Sequence, residues 1–110
     1  MRTFVMMTKI SPQDAELVEV ASKLQTRDRQ GTAWVDKVME LCPEVKFLAH
    51  YALLGPWDFM DIYEAPDEET AAKVSIISRT HGAHQVESWV AIPNKRLAGV
   101  AESITQGQAT

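Results

Sequence analysis

The stretch Val45 to Pro66, VKFLAHYALLGPWDFMDIYEAP, decides the fold of this chain. It contains two runs rich in β-branched, aromatic and other apolar residues, and Gly55 and Pro56 interrupt them. Strand-forming runs on either side of a short Gly and Pro segment are typical of a β-hairpin. The stretch therefore predicts two adjacent antiparallel strands joined at a tight corner.

The register of this hairpin brings together residues of possible chemical interest. If Leu53 and Asp58 close the turn, antiparallel pairing places His50 directly opposite Asp61. Tyr51, one residue further along the strand, then points to the opposite face of the sheet. A shift of one residue would reverse every side chain, so the prediction depends on the turn.

Outward from the hairpin, the chain alternates between strand and helix patterns. The residues predict a strand over 3–9 and a helical segment from Ser11 to just before Pro43. This segment is kinked or divided near residues 25–31. After the hairpin they predict a helix from Asp67 to about residue 80, a strand over 84–92 and a terminal helix over 97–104. Asp67 is a favourable N-cap and Gly82 a favourable C-terminal cap for the second long helix.

The order strand, helix, strand, strand, helix, strand is that of an α+β ferredoxin-like (βαββαβ) domain. Right-handed crossovers place the helices on one face of a four-stranded antiparallel sheet. We expect one domain over residues 1–110, with residues 105–110 as a frayed tail. Because large apolar residues occur on both alternating sets of the strands, the face without helices needs cover, which a second copy of the chain would supply.

Composition excludes several classes of function. The chain has 110 residues and a formal net charge of -4 without any run of Lys or Arg, which argues against nucleic acid and anionic membranes as partners. It lacks a secretory signal pattern and any apolar stretch of about 18 residues, so we expect a cytoplasmic protein. No phosphate loop, dinucleotide fingerprint or zinc-binding cysteine pair occurs, and we expect no cofactor.

The segment LLGPWDFMDIYEAPDEETAAKV resembles the GYD domain family, and the resemblance extends over residues 3–92. Trp57 stands where the family usually has Tyr. The resemblance implies the dimeric α/β-barrel superfamily, in which two ferredoxin-like subunits join sheet to sheet, but it implies no particular activity. The residues that carry it are Gly55, Asp58, Glu64, Ala65, Pro66, Asp67, Ala71 and Ala72.

Asp61 is the leading candidate for chemistry because it interrupts an otherwise apolar strand. A carboxylate in such a place must be solvated, paired or functional. An Asp that orients the imidazole of His50 is a common general-base arrangement, and Tyr51 is the candidate proton donor. A half-buried ion pair with a purely structural role explains the same residues, and the sequence leaves both open.

A second candidate is the pair His81 and His84 in the segment THGAHQ. The spacing would let both imidazoles reach one metal ion from a loop. Metal sites normally have denser ligand sets, and solvated histidines near a helix end explain the pair equally well.

Aromatic and methionine side chains on the strands form a third candidate, an apolar ligand pocket with a few polar anchors. The same residues are also ordinary core residues. Asp58 has a structural alternative as well, because its carboxylate can fix the turn. The residues predicted to line and anchor the pocket are Met7, Phe59, Tyr63, Trp89, Asp58 and Arg79.

The function that these patterns favour is a small-molecule-binding or accessory protein of bacterial metabolism. We expect a homodimer or higher homo-oligomer that holds a small, largely apolar or weakly anionic ligand in an apolar cleft. One alternative is a cofactor-independent small enzyme, similar to the isomerases and monooxygenases of the superfamily, that uses His50 and Asp61. Another is a purely structural interaction module.

Overall fold

The structure is a computed structural model that describes residues 1–12, 15–30 and 33–109. It contains strands and helices in the order β1 (Arg2–Lys9), α1 (Leu17–Gln30), α2 (Ala33–Leu41), β2 (Lys46–Ala52), β3 (Phe59–Ala65), α3 (Glu68–Thr80), β4 (Gln85–Ala91) and α4 (Asn94–Ala109). The strands form one antiparallel sheet in the order β2-β3-β1-β4. This confirms the predicted ferredoxin-like fold.

The hydrophobic core lies between α2, α3 and one face of the sheet. On this covered face, Phe4 and Tyr63 are paired neighbours whose rings stack with centroids 5.6 Å apart. The helices contribute Val38 and Val74, which are fully buried. Cys42, at the end of α2, is also buried, and its burial raises the pKa of the thiol.

The hairpin closes as the sequence predicts, and its register contains one irregularity. Leu53 N–H donates to the Asp58 carbonyl oxygen over 2.9 Å, and His50 pairs with Asp61. The register shifts between Phe47 and Ala49. This bulge lets Phe47 and His50 both face the helices although they are three residues apart.

The helical segment between β1 and β2 begins later than predicted. The helix α1 begins at Leu17 instead of at the predicted cap Ser11. Asp14, predicted as an acid near the positive end of the helix, lies outside the described residues. Before the helix, the Ala15 backbone N–H donates a hydrogen bond to the Pro12 carbonyl oxygen over 3.1 Å. The kink left open by the sequence is a division into two helices, α1 and α2.

The caps predicted for α3 are present. The Asp67 carboxylate accepts hydrogen bonds from the backbone N–H and the hydroxyl of Thr70, at 2.8 and 2.7 Å. Beyond the other end of the helix, Gly82 has a φ of 97°, a conformation that residues with a Cβ rarely adopt.

The last helix, α4, extends to Ala109 and so includes residues that the sequence predicts as a frayed tail. Among the described residues it makes no extensive packing contact with any other element. The chain measures 62 × 32 × 18 Å, with a radius of gyration of 17.1 Å. A compact domain of this length would have a radius of gyration of about 13 Å.

Candidate functional site

The strongest polar feature of the fold is a pair formed by His50 on β2 and Asp61 on β3. Their Nδ1 and Oδ1 atoms are 2.5 Å apart. The Asp61 side chain is 5% exposed, whereas the His50 side chain is 49% exposed. The pair therefore connects the interior of the domain to its surface at the edge of the sheet.

The pairing determines which imidazole nitrogen is available. An ionised carboxylate only accepts hydrogen bonds, so His50 Nδ1 carries the hydrogen that bonds to Asp61. In a neutral imidazole, Nε2 is then left with a lone pair. This arrangement can accept a proton or ligate a metal through Nε2, with Asp61 holding the ring in place.

Two aromatic side chains enclose the imidazole. The Trp34 ring on α2 meets the His50 ring edge-on with centroids 6.2 Å apart, and the Phe47 ring lies 5.2 Å away. Neither residue was predicted from the sequence to belong to the site. The helical spacing of Trp34 indicates that it belongs to a buried face, but only the packing of α2 over β2 shows which strand residue it meets.

Tyr51 does not share this site within one chain. It pairs with Met60 on β3 and lies on the face opposite to His50 and Asp61. The structure therefore joins two members of the predicted catalytic set and separates the third, because successive side chains of a strand point to opposite faces.

The residues predicted to line one pocket are also divided between the two faces. Phe59 and Tyr63 lie on the covered face, where burial raises the pKa of Tyr63 to about 12 and keeps the phenol neutral. Met7 and Trp89 lie on the other face. A single pocket with all four side chains does not form within the chain.

We call the second face of the sheet the open face, because no helix of the described chain packs on it. Its aromatic members are the most exposed: Tyr51 is 54% and Trp89 47% accessible. The cross-strand pairs assign to it the side chains of Val5, Met7, Tyr51, Met60, Ile62 and Trp89.

An aromatic cluster with one cation lies at the end of the open face nearest the hairpin corner. Trp57 meets Trp89 edge-on with ring centroids 6.4 Å apart, and Lys9 Nζ lies 5.1 Å from the centroid of the Trp57 ring. The Trp89 indole N–H donates to Glu87 over 3.0 Å. Trp57 was predicted from the sequence only as part of the corner, because its contact with Trp89 depends on the position of β4.

The two loop histidines occupy different environments. His81 Nδ1 lies 2.9 Å from the Ile77 carbonyl oxygen, so this nitrogen is engaged at the end of α3. His84 is exposed, and its backbone N–H donates to the Lys9 carbonyl oxygen. Within the ranges that the structure covers, no group of three or more His, Cys, Asp or Glu could hold a metal ion. Metal binding by these histidines stays a prediction.

The predicted polar anchors also lie apart. Arg79 is exposed in the last turn of α3. The Asp58 carboxylate accepts a hydrogen bond of 2.9 Å from the backbone N–H of Ile10, and so ties the hairpin corner to the end of β1. A cleft of about 310 Å³ opens beside this corner, and its polar lining differs from the predicted apolar cleft. Its walls are formed by Lys9, Ser11, Pro12, Val20, Gly55, Pro56 and Asp58.

The resemblance of the sequence to a known family rests on the hairpin corner and on the strand, helix cap and helix that follow it. The family profile described as GYD domain matches residues 4–101. The chain belongs to the GYD domain family. In this GYD domain, Asp58 joins the corner to β1 and Asp67 caps α3, so these two signature residues have structural roles.

One relative of this GYD domain carries a descriptive name. A protein of Thermus thermophilus called glutamine synthetase and cystathionine beta-lyase binding protein is 29% identical over 93 residues, which cover 84% of this chain and 90% of the relative. Two solved structures are similar at lower identity. The crystal structure of FFRP-DM1 has a TM-score of 0.49 at 15% identity, covering 84% of this chain and 100% of that chain. A hypothetical protein of Pyrococcus horikoshii has a TM-score of 0.48 at 16% identity, covering 86% and 93%.

None of the helices in the described ranges has the length and apolar character needed to cross a bilayer.

Proposed function

We propose that this GYD domain protein is a cytoplasmic accessory protein of bacterial metabolism that forms a homodimer and binds other proteins, with metabolic enzymes as the partner class. Membership of the family and the name of the Thermus thermophilus relative support a binding role. The structural observation that carries the proposal is the exposed apolar surface of the open face.

The open face has the composition of a surface that is buried in the working protein. Tyr51 and Trp89 each expose about half of their surface, and they flank the half-buried side chains of Val5 and Met60. Contiguous exposed apolar patches on soluble proteins mark sites of interaction. Two copies that join open face to open face would cover this surface, as the resemblance to the dimeric α/β barrels implies.

A small ligand held between the two subunits is a further part of the proposal. Met7 and Trp89 would face the space between the sheets, whereas Phe59 and Tyr63 lie beneath the helices and would take no part. Lys9 lies at the end of this face, over Trp57, and forms no ion pair within the described ranges. A free cation beside aromatic rings favours a ligand that is largely apolar and weakly anionic.

Substitutions on β4 test the dimer with a matched control. Trp89 and Val90 are neighbours with 47% and 51% exposure, but they lie on opposite faces. We expect Trp89→Asp to convert the dimer into folded monomers in sedimentation experiments, while Val90→Asp leaves the dimer intact. A wild-type protein that sediments as a monomer, or equal effects of the two variants, would contradict the proposed interface.

The partner class is tested with the two enzymes named for the relative. Glutamine synthetase and cystathionine beta-lyase from the source organism of this chain are immobilised and titrated with the wild-type protein and with both β4 variants. We expect saturable binding of the wild-type protein to at least one enzyme. Absence of binding to both would remove the support that the relative gives. Native mass spectrometry of the same wild-type sample then shows whether a small molecule is retained.

A second candidate function is proton-transfer catalysis without a cofactor, favoured by the buried Asp61 that orients the half-exposed His50. In this function Nε2 of His50 would accept a proton from a substrate. The test is deuterium incorporation from D2O into a panel of small enolisable carbonyl compounds, followed by NMR. Exchange with the wild-type protein that disappears in a folded His50→Ala variant supports catalysis, and equal exchange with both proteins contradicts it.

A further inference from the structure

The cleft beside the hairpin corner is formed within one chain, from three separate parts of the sequence. Its volume of about 310 Å³ is at the lower end of the range in which proteins hold small molecules. The end of β1 and the residues after it, α1 and the corner itself contribute its walls. The apolar part of the lining, Pro12, Val20 and Pro56, suits a short carbon skeleton. Because one chain completes the cleft, it does not depend on the homodimer proposed above.

A buried hydroxyl group belongs to the wall of this cleft. Ser11 lines the cleft and is only 7% exposed. Its Oγ has no hydrogen-bond partner within the described ranges. A buried hydroxyl without a partner is unfavourable in a folded protein. A molecule that enters the cleft and forms a hydrogen bond with Ser11 would remove this cost.

Two charged side chains lie in the same wall. The Asp58 carboxylate uses Oδ2 for its bond with the Ile10 N–H, so Oδ1 retains its capacity to accept a hydrogen bond. Lys9 Nζ lies over the Trp57 ring and forms no ion pair with another described residue. The cleft therefore offers an ammonium and a hydroxyl as donors and a carboxylate as an acceptor.

Hydrogen bonds hold these walls in place within the chain. The Ile10 backbone is fixed on two sides, since its N–H donates to Asp58 and its carbonyl oxygen accepts from Lys23 Nζ on α1 over 3.1 Å. The Lys9 carbonyl oxygen accepts a hydrogen bond of 2.7 Å from the His84 N–H. A site that is already ordered loses little conformational entropy when a ligand binds.

The mixture of groups selects the class of ligand. A polyanion such as a nucleotide would meet the Asp58 carboxylate with only Lys9 to offset the repulsion. A carboxylic acid that also carries a hydroxyl fits better, because its carboxylate can accept hydrogen bonds from Lys9 and Ser11 while its hydroxyl donates to Asp58. We propose that this cleft binds a small hydroxy carboxylic acid.

Pairs of acids that differ by one hydroxyl test the ligand class. The wild-type protein is titrated by calorimetry with lactate and propionate, and with malate and succinate. In at least one pair we expect the hydroxy acid to bind about tenfold more tightly, because the matched acid has no donor for the Asp58 carboxylate. Equal affinity within both pairs, or no saturable binding by any of the four acids, overturns the proposal.

Removal of the buried hydroxyl tests the site itself. We expect Ser11→Ala to weaken the binding of the hydroxy acid by about tenfold. Without ligand, the melting temperature of this variant should equal or exceed that of the wild-type protein, because a buried polar group has been removed. The matched control Ser103→Ala, at an exposed position of α4, should bind like the wild-type protein. Unchanged binding by Ser11→Ala, or a lower melting temperature of its unliganded form, overturns the role of Ser11.

Amide NMR of the wild-type protein locates the ligand. During titration with the more tightly bound of lactate and malate, we expect the largest shift changes at the backbone N–H groups of Ile10, Gly55 and Asp58. If the largest changes instead occur at the Trp89 indole and along the open face, the ligand lies between subunits and the cleft is not its site. Neither result alters the test of the homodimer by the β4 variants.

Discussion

The two faces of the sheet contain similar residues in very different environments. Tyr63 on the covered face is 0% exposed, whereas Tyr51 on the open face is 54% exposed, although they lie on neighbouring strands. The tryptophans differ in the same way: Trp34 of α2, which packs on the covered face, is 6% exposed, and Trp89 on the open face is 47% exposed. Residue type alone does not decide burial in this domain. For these tyrosines and tryptophans the helices decide it, because they cover one face.

The comparison indicates where stability and binding are located. Side chains beneath α2 and α3 form the core, and their removal should unfold the chain. On the open face Met7 is 7% exposed and belongs to the folded monomer, whereas Tyr51 and Trp89 are about half exposed and remain available for a partner. The pair formed by His50 and Asp61 lies between these extremes, since its carboxylate belongs to the covered face and its imidazole reaches solvent.

The largest expected effect is a contrast between the two tyrosines. Tyr63→Ala should lower the free energy of unfolding by about 3–5 kcal/mol, because it leaves a cavity in the core. Tyr51→Ala should lower that of the monomer by about 0.5 kcal/mol or less. Urea denaturation at several protein concentrations separates folding from association. Equal losses of unfolding free energy for both variants would contradict the expected difference between the covered and the open face.

A smaller effect on the free energy of unfolding is expected for the pair of His50 and Asp61, which extends from the core to the surface. His50→Ala deprives the buried Asp61 carboxylate of its imidazole, which should cost about 1–3 kcal/mol at neutral pH. The double variant His50→Ala/Asp61→Asn should recover part of this loss, because the amide is cheaper to bury than the charge. His84→Ala is a matched control at an exposed histidine. If His50→Ala leaves the free energy of unfolding unchanged, other groups already stabilise the Asp61 carboxylate.

The smallest expected effect on stability concerns Asp67, the exposed cap of α3. This effect should not depend on which face of the sheet the helices cover. Hydrogen bonds from the hydroxyl and backbone N–H of Thr70 hold the pKa of Asp67 below its ordinary value. The carboxylate therefore contributes stability that is fully present above a pH of about 4 and is lost as the pH falls through the lower folded value. We expect the melting temperature of the wild-type protein to fall more on acidification than that of Asp67→Asn.

A control for this pH dependence is Glu69→Gln in the same turn of α3. This exposed carboxylate is replaced by its amide without loss of the cap, so the variant should follow the wild-type protein through the acid range. If Asp67→Asn and the wild-type protein lose stability in parallel, the cap has no part in the acid response.

The sequence predicted much of the fold because its signals are local. The hairpin is indicated by the residues on either side of Gly55, and the caps of α3 by Asp67 and Gly82. The start of α1 was predicted too early because Ser11 and Pro12 have the pattern of a helix start, yet α1 begins only at Leu17. The extent of α4 was underestimated because Gly and Thr near its end are weak helix formers.

The candidate site was predictable only in part. The pairing of His50 with Asp61 followed from the turn, since the register near a hairpin is set by its closure. Trp34 and Trp57 could not be assigned to their neighbours, because they meet residues from elements distant in the sequence. Tyr51 was expected to act with His50 although the hairpin register places it on the opposite face, and within one chain the two residues do not share a site.

The sequence by itself determined the order of strands and helices, the hairpin register at its turn and the caps of α3, because each depends on residues that are close in the chain. Only the tertiary structure decided which alternating set of each strand meets the helices, where the bulge in β2 lies and that α4 stands apart from the body. These features depend on contacts between distant elements. They follow from how α2 and α3 pack on the sheet, which local residue patterns do not specify.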